Sequence, residues 1–160
     1  MDAKFFQRLR TLPHGKAIAI AIYGESVAAY RYGVLVEKAL TPEHKKVFTQ
    51  MQDEERGHQQ ALEKLAQVYF PDDDFVLAPE DKDLVIVGNR MLQVTDRASF
   101  LKAMQFLHGT ENRTGEFYTI LHEMMPEGQL GSFLEEMAAE CFVHGESLLA
   151  IEPPPPDASD

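Results

Sequence analysis

The chain has 160 residues and a formal net charge of −11, from 26 acidic and 15 basic residues. This length suits one domain with a sizeable core. The negative charge argues against a nucleic acid or an anionic membrane surface as a partner, because both require clustered Lys and Arg. The longest apolar run, residues 17–23, is about a third of a membrane-spanning length. With one cysteine and no signal-peptide pattern, the chain is expected to be cytoplasmic.

Apolar residues at helical spacing predict four long helices. They are expected over residues 13–40, 42–70, 96–125 and 129–151, the third of them beginning after Thr95 or Asp96. Thr41 suits an N-cap, and Pro42 suits the first helical position, where a missing N–H has no consequence. The sequence therefore predicts an all-α bundle.

The remaining segments connect or terminate these helices. Residues 71–95 contain several prolines and a short apolar stretch, Leu84 to Gly88, and are expected to form a long crossover. Parallel helices need such a link, because the chain must return along a helix of about 28 residues, roughly 40 Å. The first dozen residues are expected to cover one end of the bundle. The predicted domain spans residues 1–152, and residues 153–160 are predicted to be a disordered, proline-rich and acidic tail.

Two stretches of the chain carry the same residue types at the same intervals. Glu25, Tyr32, His58 and Leu62 each have an identical residue 86 positions later, namely Glu111, Tyr118, His144 and Leu148. Glu55 fits the same series, but its counterpart is Cys141. The constant offset predicts a duplicated helical hairpin whose two copies are related by a pseudo-two-fold axis.

Each predicted hairpin has a turn breaker where these side chains require one. A Glu on one helix meets a Glu-x-x-His on the next only if both lie equally far from the turn. The midpoint between Glu25 and Glu55 lies next to Pro42, and the midpoint between Glu111 and position 141 is Pro126. The acidic residues and the histidines are therefore expected to meet inside the bundle.

This pattern is typical of a four-helix di-metal carboxylate protein, in which two helices each give a Glu and two each give a Glu-x-x-His. Residues three apart share a helix face, so Glu55 and His58 project together. Oxygen donors with one His per metal suit iron or manganese better than zinc. Glu25 lies in an apolar stretch, where an unpaired carboxylate would cost several kcal/mol, so a metal partner is expected.

The motifs resemble those of the rubrerythrin branch of the ferritin-like superfamily. They are Gly24-Glu25-Ser26-x-Ala28 and, on the next helix, Glu54-Glu55-x-x-His58-x-x-x-Leu62. The likeness covers about residues 16 to 150. It implies a ferritin-like four-helix bundle with a long crossover between helices 2 and 3, commonly assembled as a homodimer.

The resemblance also implies a cofactor and its ligands. The cofactor would be two iron ions, with manganese or zinc as alternatives, and the metal would react with peroxide or dioxygen. Ligands carried over position by position are Glu25, Glu55, His58, Glu111 and His144. The three carboxylates among them would be the catalytic residues. Electrons would come from an external donor, because one cysteine cannot supply the paired Cys-x-x-Cys motifs of the family's rubredoxin domain.

Position 141 departs from the family pattern, because a cysteine stands where the family has a Glu. Three interpretations remain open: Cys141 binds metal as a thiolate, Glu140 takes its place, or Cys141 is a buried apolar residue and the second metal position is weakened or lost. Thr114 is a second departure, since the family has a carboxylate there, about one turn after Glu111. His108, one turn before Glu111, is either a compensating ligand or a surface residue.

Other polar residues have simpler expected roles. Tyr32 and Tyr118 are expected to be core tyrosines whose hydroxyl groups can reach a ligand Glu one to two turns away. His14, His44 and His122 show no partner pattern and are expected on the surface.

Two function classes follow from the sequence. One is a non-haem di-metal oxidoreductase that reduces peroxide or oxidises ferrous iron. The other is a metal-binding or structural bundle with a degenerate site for one metal and no turnover. A hydroxylase acting on a larger organic substrate ranks third, because no substrate pocket is identified. The residue at position 141 separates the first two.

Overall fold

The computed structural model describes residues 3–85 and 92–156, and within these ranges the chain forms six helices and no strand. The helices are α1 (Ala3–Thr11), α2 (His14–Glu37), α3 (Pro42–Tyr69), α4 (Pro79–Lys82), α5 (Arg97–Met124) and α6 (Gly128–Ala150). Helix α2 packs along α3, and α5 packs along α6. The predicted all-α, ferritin-like bundle is confirmed, and its crossover joins α3 to α5.

The helix boundaries follow from local capping. The Thr41 hydroxyl accepts a hydrogen bond from the His44 N–H at 3.1 Å, so α3 begins with Pro42 at its first position. Before α5, the Asp96 carboxylate accepts from the Ser99 N–H at 2.8 Å. Helix α2 ends at Glu37, three residues before the predicted end at Leu40. The proline at position 42 disfavours helical geometry just before it, which leaves room for the turn.

Asp81 in the crossover ties one end of the bundle together. Its buried carboxylate accepts hydrogen bonds from the Ala78 N–H at 2.9 Å and from Arg8 of α1 at 3.2 Å, and it lies 3.3 Å from the Lys16 ammonium of α2. The Ala78 hydrogen bond and the two cations lower the pKa of Asp81. Phe5 and Leu9 of α1 are buried, so α1 covers this end as predicted. Residues 86–88 of the predicted apolar stretch lie outside the described ranges.

The hydrophobic core is divided into two clusters along the bundle. One includes Ile18, Leu62 and Leu134 and lies towards α1. The other includes Phe48 and Phe100 and lies towards the opposite end. Along each long helix, the predicted ligand side chains fall between residues of the two clusters. The fold therefore places a buried polar layer between two apolar ones.

The C-terminal segment after α6 contacts the far end of the bundle. The His44 Nε2–H donates to the Glu152 carbonyl at 2.7 Å, and Arg97 donates to the Pro154 carbonyl at 2.9 Å. Pro154 is buried, whereas residues 157–160 lie outside the described ranges. Because the His44 ring also stacks on Phe100, with ring centroids 4.4 Å apart, it is buried. The prediction that His44 lies on the surface is therefore wrong.

The other two histidines without a predicted partner differ from each other. His14 is exposed, as predicted. His122 is only half-buried, and its Nδ1 lies 2.8 Å from the Gly131 carbonyl. The short turn between α5 and α6 brings this carbonyl to the histidine, so His122 is not a free surface residue. None of the helices in residues 3–85 and 92–156 combines the length and apolar character needed to cross a membrane.

Replacement of Asp81 by Ala should lower the free energy of unfolding at neutral pH by about 1–3 kcal/mol, because it leaves a backbone N–H and two cations without their acceptor. The loss should shrink as the pH falls through the lowered pKa of Asp81, because only the ionised carboxylate stabilises the native state. Urea denaturation measures both effects. Asp83→Ala, at an exposed position, is the control, and equal stabilities of the two variants would contradict the prediction.

Candidate metal centre

The four long helices bring three carboxylates and two imidazoles together in the polar layer. Glu25 of α2, Glu55 of α3 and Glu111 of α5 are buried. The Nδ1 atom of His58 lies 3.8 Å from a Glu25 oxygen and 3.5 Å from a Glu55 oxygen. From α6, the Nδ1 atom of His144 lies 3.8 Å from the other Glu55 oxygen. The five residues predicted as ligands therefore face one another.

Glu55 lies at the centre of this arrangement. Two groups of donor atoms can each surround one cation: Glu25, Glu55 and His58 in the first, and Glu55, Glu111 and His144 in the second, with the atoms of each group within 4.8 Å of one another. Glu55 belongs to both groups, and it directs Oε2 towards His58 and Oε1 towards His144. A carboxylate placed in this way can bridge two metal ions.

Two atoms in the first group lack the hydrogen bonds that their burial requires. Glu25 Oε2 and His58 Nδ1 are buried and have no hydrogen-bond partner among the described residues. An unpaired buried carboxylate oxygen is costly, and a bound cation would satisfy both atoms at once. A cavity of about 40 Å³ adjoins Glu25, Glu55 and Glu111, which is enough space for small ligands such as water. These donors fit a metal ion.

Burial changes the protonation of the carboxylates. It raises the pKa of Glu25 well above its usual value, and the adjacent Glu55 carboxylate adds to the effect. Burial also raises the pKa of Glu55 and of Glu111 to about 7. The pKa of the Cys141 thiol is raised by burial and by the nearby carboxylates, so the thiol stays protonated at neutral pH. A bound cation would favour the charged forms of several of these groups at once.

Two tyrosines connect the hairpins through these carboxylates. The Tyr118 hydroxyl donates to Glu25 Oε1 at 2.5 Å, and the Tyr32 hydroxyl donates to Glu111 Oε1 at 2.6 Å. Both are core tyrosines, as predicted, but each binds the Glu of the other hairpin. A residue seven positions along a helix lies about 10.5 Å from the starting residue, so its hydroxyl reaches a facing helix instead. Each of these Glu residues keeps its Oε2 atom free of the tyrosine.

A second pair of contacts also crosses between the hairpins. His58 Nε2 lies 2.7 Å from Glu140 Oε2 of α6, and His144 Nε2 lies 2.9 Å from Glu54 Oε2 of α3. Glu54 and Glu140 are themselves 86 positions apart. The sequence contained this signal as a doubled Glu-x-x-x-His spacing, although the pairing between hairpins is visible only in the structure.

The structure places the three residues Glu140, Cys141 and Thr114 differently with respect to the two ligand groups. Glu140 belongs to neither ligand group, because its carboxylate lies on the outer side of the His58 ring. Cys141 is buried beside the cavity, close to Glu111. The Thr114 hydroxyl donates to the Thr110 carbonyl at 2.9 Å, within its own helix.

His108 does not join the cluster either. Its Nε2 lies 3.1 Å from the Asn112 side-chain nitrogen, and it belongs to neither group of donor atoms within the described residues. The structure therefore leaves three carboxylates and two imidazoles as the candidate ligand set.

The family model of the rubrerythrins matches residues 16–151. The chain belongs to the rubrerythrin family. No curated protein and no solved structure matches it. Rubrerythrins are di-iron carboxylate proteins, and the two groups that share Glu55 are the corresponding candidate ligands in this member.

The metal-free protein should become less stable as the pH rises from about 4.5 towards 7. The raised pKa values of Glu55 and Glu111 mean that the native state binds more protons than the unfolded state in this range, so deprotonation favours unfolding. One pKa unit corresponds to about 1.4 kcal/mol, so a loss of a few kcal/mol is expected.

Chemical denaturation in the presence of a chelator, at several pH values, measures this slope. Glu55→Gln carries no titrating group at that position and should show a shallower slope. A wild-type stability that stays constant or rises over this range would contradict the prediction.

Proposed function

We propose that this protein is a non-haem di-metal oxidoreductase that holds two iron ions and reduces peroxide or oxidises ferrous iron. The observation that carries the proposal is the position of Glu55, which offers one oxygen to each of two ligand groups. A carboxylate that directs one oxygen to each group can bind two metal ions at the same time. Membership of the rubrerythrin family supports iron as the metal.

Each candidate ligand has a separate role in the proposed site. Glu25 and His58 would hold the first ion, Glu111 and His144 would hold the second, and Glu55 would give one oxygen to each. The first position is the better one, because the unpaired Glu25 Oε2 and His58 Nδ1 both belong to it. The second lacks the bridging carboxylate that the family has at position 141.

The chain's own groups orient the ligands and limit what can enter. The tyrosine hydroxyl groups of Tyr118 and Tyr32 hold one oxygen of Glu25 and one of Glu111, which leaves the second oxygen of each for metal. The cavity of about 40 Å³ beside these carboxylates favours peroxide or dioxygen over a larger organic molecule.

Iron bound here would supply electrons to the oxidant. Reduction of one peroxide molecule breaks its O–O bond, consumes two electrons and two protons, and yields two water molecules. Bound ferrous iron would supply the two electrons, solvent would supply the two protons, and an external electron donor would be needed for further turnover. That donor, the homodimeric assembly and the cytoplasmic location stay predictions.

Cys141 favours a second candidate function. Cys141 offers one sulfur atom and cannot bridge two ions as a bidentate carboxylate does. If it weakens the second position beyond use, the protein is a bundle that holds one metal and has no turnover. The two functions differ in the number of metal ions per chain and in peroxide consumption.

Metal content should distinguish the roles of positions 55 and 141. We expect Glu55→Ala to lose both metal ions, because it removes an oxygen from each group, whereas Cys141→Ala should retain the ion held by Glu25 and His58. Elemental analysis after anaerobic loading with ferrous iron and gel filtration gives metal ions per chain. Equal losses from the two variants would contradict these roles.

Cys141→Glu should restore the missing bridging carboxylate. The variant should hold more iron per chain than the wild type and should consume peroxide faster in the presence of an artificial electron donor. Circular dichroism reports whether the buried carboxylate disrupts the fold. A folded variant with unchanged iron content and slower turnover would indicate that Cys141 is itself a tuned ligand.

Metal binding to the native state should also stabilise it. At a free metal concentration 100 times the dissociation constant, linkage adds about 2.7 kcal/mol to the free energy of unfolding. Thermal melting with and without ferrous iron, manganese or zinc measures the gain. Unchanged melting temperatures with all three metals would rule out a built-in metal site. In a separate assay, peroxide consumption by wild-type protein that holds one metal ion per chain would rule out the non-catalytic alternative.

A further inference from the structure

Each of the two candidate histidine ligands uses both of its ring nitrogens. The Nδ1 atoms point into the polar layer, 3.5–3.8 Å from buried carboxylates. The Nε2 atoms point outwards, towards the carboxylates of Glu140 and Glu54 at 2.7 and 2.9 Å. A carboxylate can only accept from a histidine ring, so each of these contacts places the proton on Nε2.

These outer contacts are arranged by the same repeat as the ligands. His58 of the first hairpin meets Glu140 of the second, and His144 of the second meets Glu54 of the first. Helices α3 and α6 touch only sparingly elsewhere. The two pairs therefore connect these helices across the bundle at the level of the metal centre, and each hairpin orients the histidine of the other.

The outer carboxylates are accessible, whereas the ligand carboxylates are not. The side chains of Glu140 and Glu54 are 51% and 36% exposed, and both histidine side chains are 16% exposed. Glu54 also accepts a hydrogen bond from Gln50 at 3.1 Å, which helps to hold it in place. The two outer carboxylates therefore lie at the surface of the bundle, while their histidine partners face the buried site.

We propose that Glu54 and Glu140 are positioning residues of the metal centre. Each accepts the Nε2–H of the histidine in the opposite hairpin, fixes the tautomer that leaves Nδ1 free, and holds the ring in the orientation that metal binding needs. This role goes beyond the ligand set and rests on the proposed di-metal site. Outer partners of this kind commonly change metal affinity by about 10- to 100-fold.

The test uses the full-length protein and Co²⁺ alone as the probe. Titration followed by visible absorption gives the dissociation constant and a ligand-field spectrum, neither of which depends on turnover. Glu140→Ala should weaken Co²⁺ binding by about 10-fold or more, and Glu54→Ala should do the same for the second ion. Glu140→Gln, whose amide oxygen still accepts a hydrogen bond, should recover part of the lost affinity.

A charge-matched control separates positioning from loss of negative charge. Glu146→Ala removes one exposed carboxylate from the same helix, away from both histidines, and should bind Co²⁺ as the wild type does. A double-mutant cycle with His58→Ala tests whether Glu140 affects Co²⁺ binding through the His58 ring. Glu140→Ala should have little further effect once the His58 ring is absent, because it acts through that ring.

Each result supports or overturns the inference. A dissociation constant for Glu140→Ala equal to that of Glu146→Ala would overturn it, as would an equal effect of Glu140→Ala with and without His58. In both cases the wild type still binds Co²⁺, so the proposed metal site survives. A wild-type protein that binds no Co²⁺, iron or manganese would overturn the inference and the proposed function together.

Discussion

The burial of three carboxyl groups at one level of a four-helix bundle is the constraint on which the rest of the structure depends. Glu25, Glu55 and Glu111 would repel one another if all were ionised without a cation, and they are costly to desolvate in either state. Hydrophobic clusters above and below the layer stabilise the fold enough to tolerate it. Burial of these carboxyl groups therefore lowers the stability of the metal-free fold, and a bound cation would offset that loss.

Compensation inside this layer comes mainly from contacts between the hairpins. Tyrosine hydroxyl groups join α2 to α5, and histidine–glutamate pairs join α3 to α6. Packing within a hairpin is apolar and extensive, whereas association of the two hairpins relies in part on these directional bonds. The same side chains join the hairpins and orient the candidate ligands, so the proposed metal binding would be coupled to the mutual orientation of the hairpins.

The sequence was sufficient to predict the fold, because helix ends and inward faces are set by residue types at fixed spacings along the chain. Capping at Thr41 and Asp96 and the repeat of Glu and His positions fix helix ends and inward faces. It was not sufficient for contacts made by long side chains. At about 100° per residue, Glu140 and Cys141 lie roughly 40° and 60° from His144, so either could turn inwards. Tertiary packing buries the cysteine and leaves the glutamate outside.

The exchange of partners between hairpins has a consequence for how the site can vary. Two identical hairpins associating as separate chains could make the same four contacts, but any substitution would then appear in both halves at once. Joining the copies in one polypeptide removes that restriction. Cys141 is such a one-sided change, set opposite an intact Glu55. Fusion thus lets the surroundings of one candidate ligand group change while those of the other are kept, which a symmetric assembly cannot achieve.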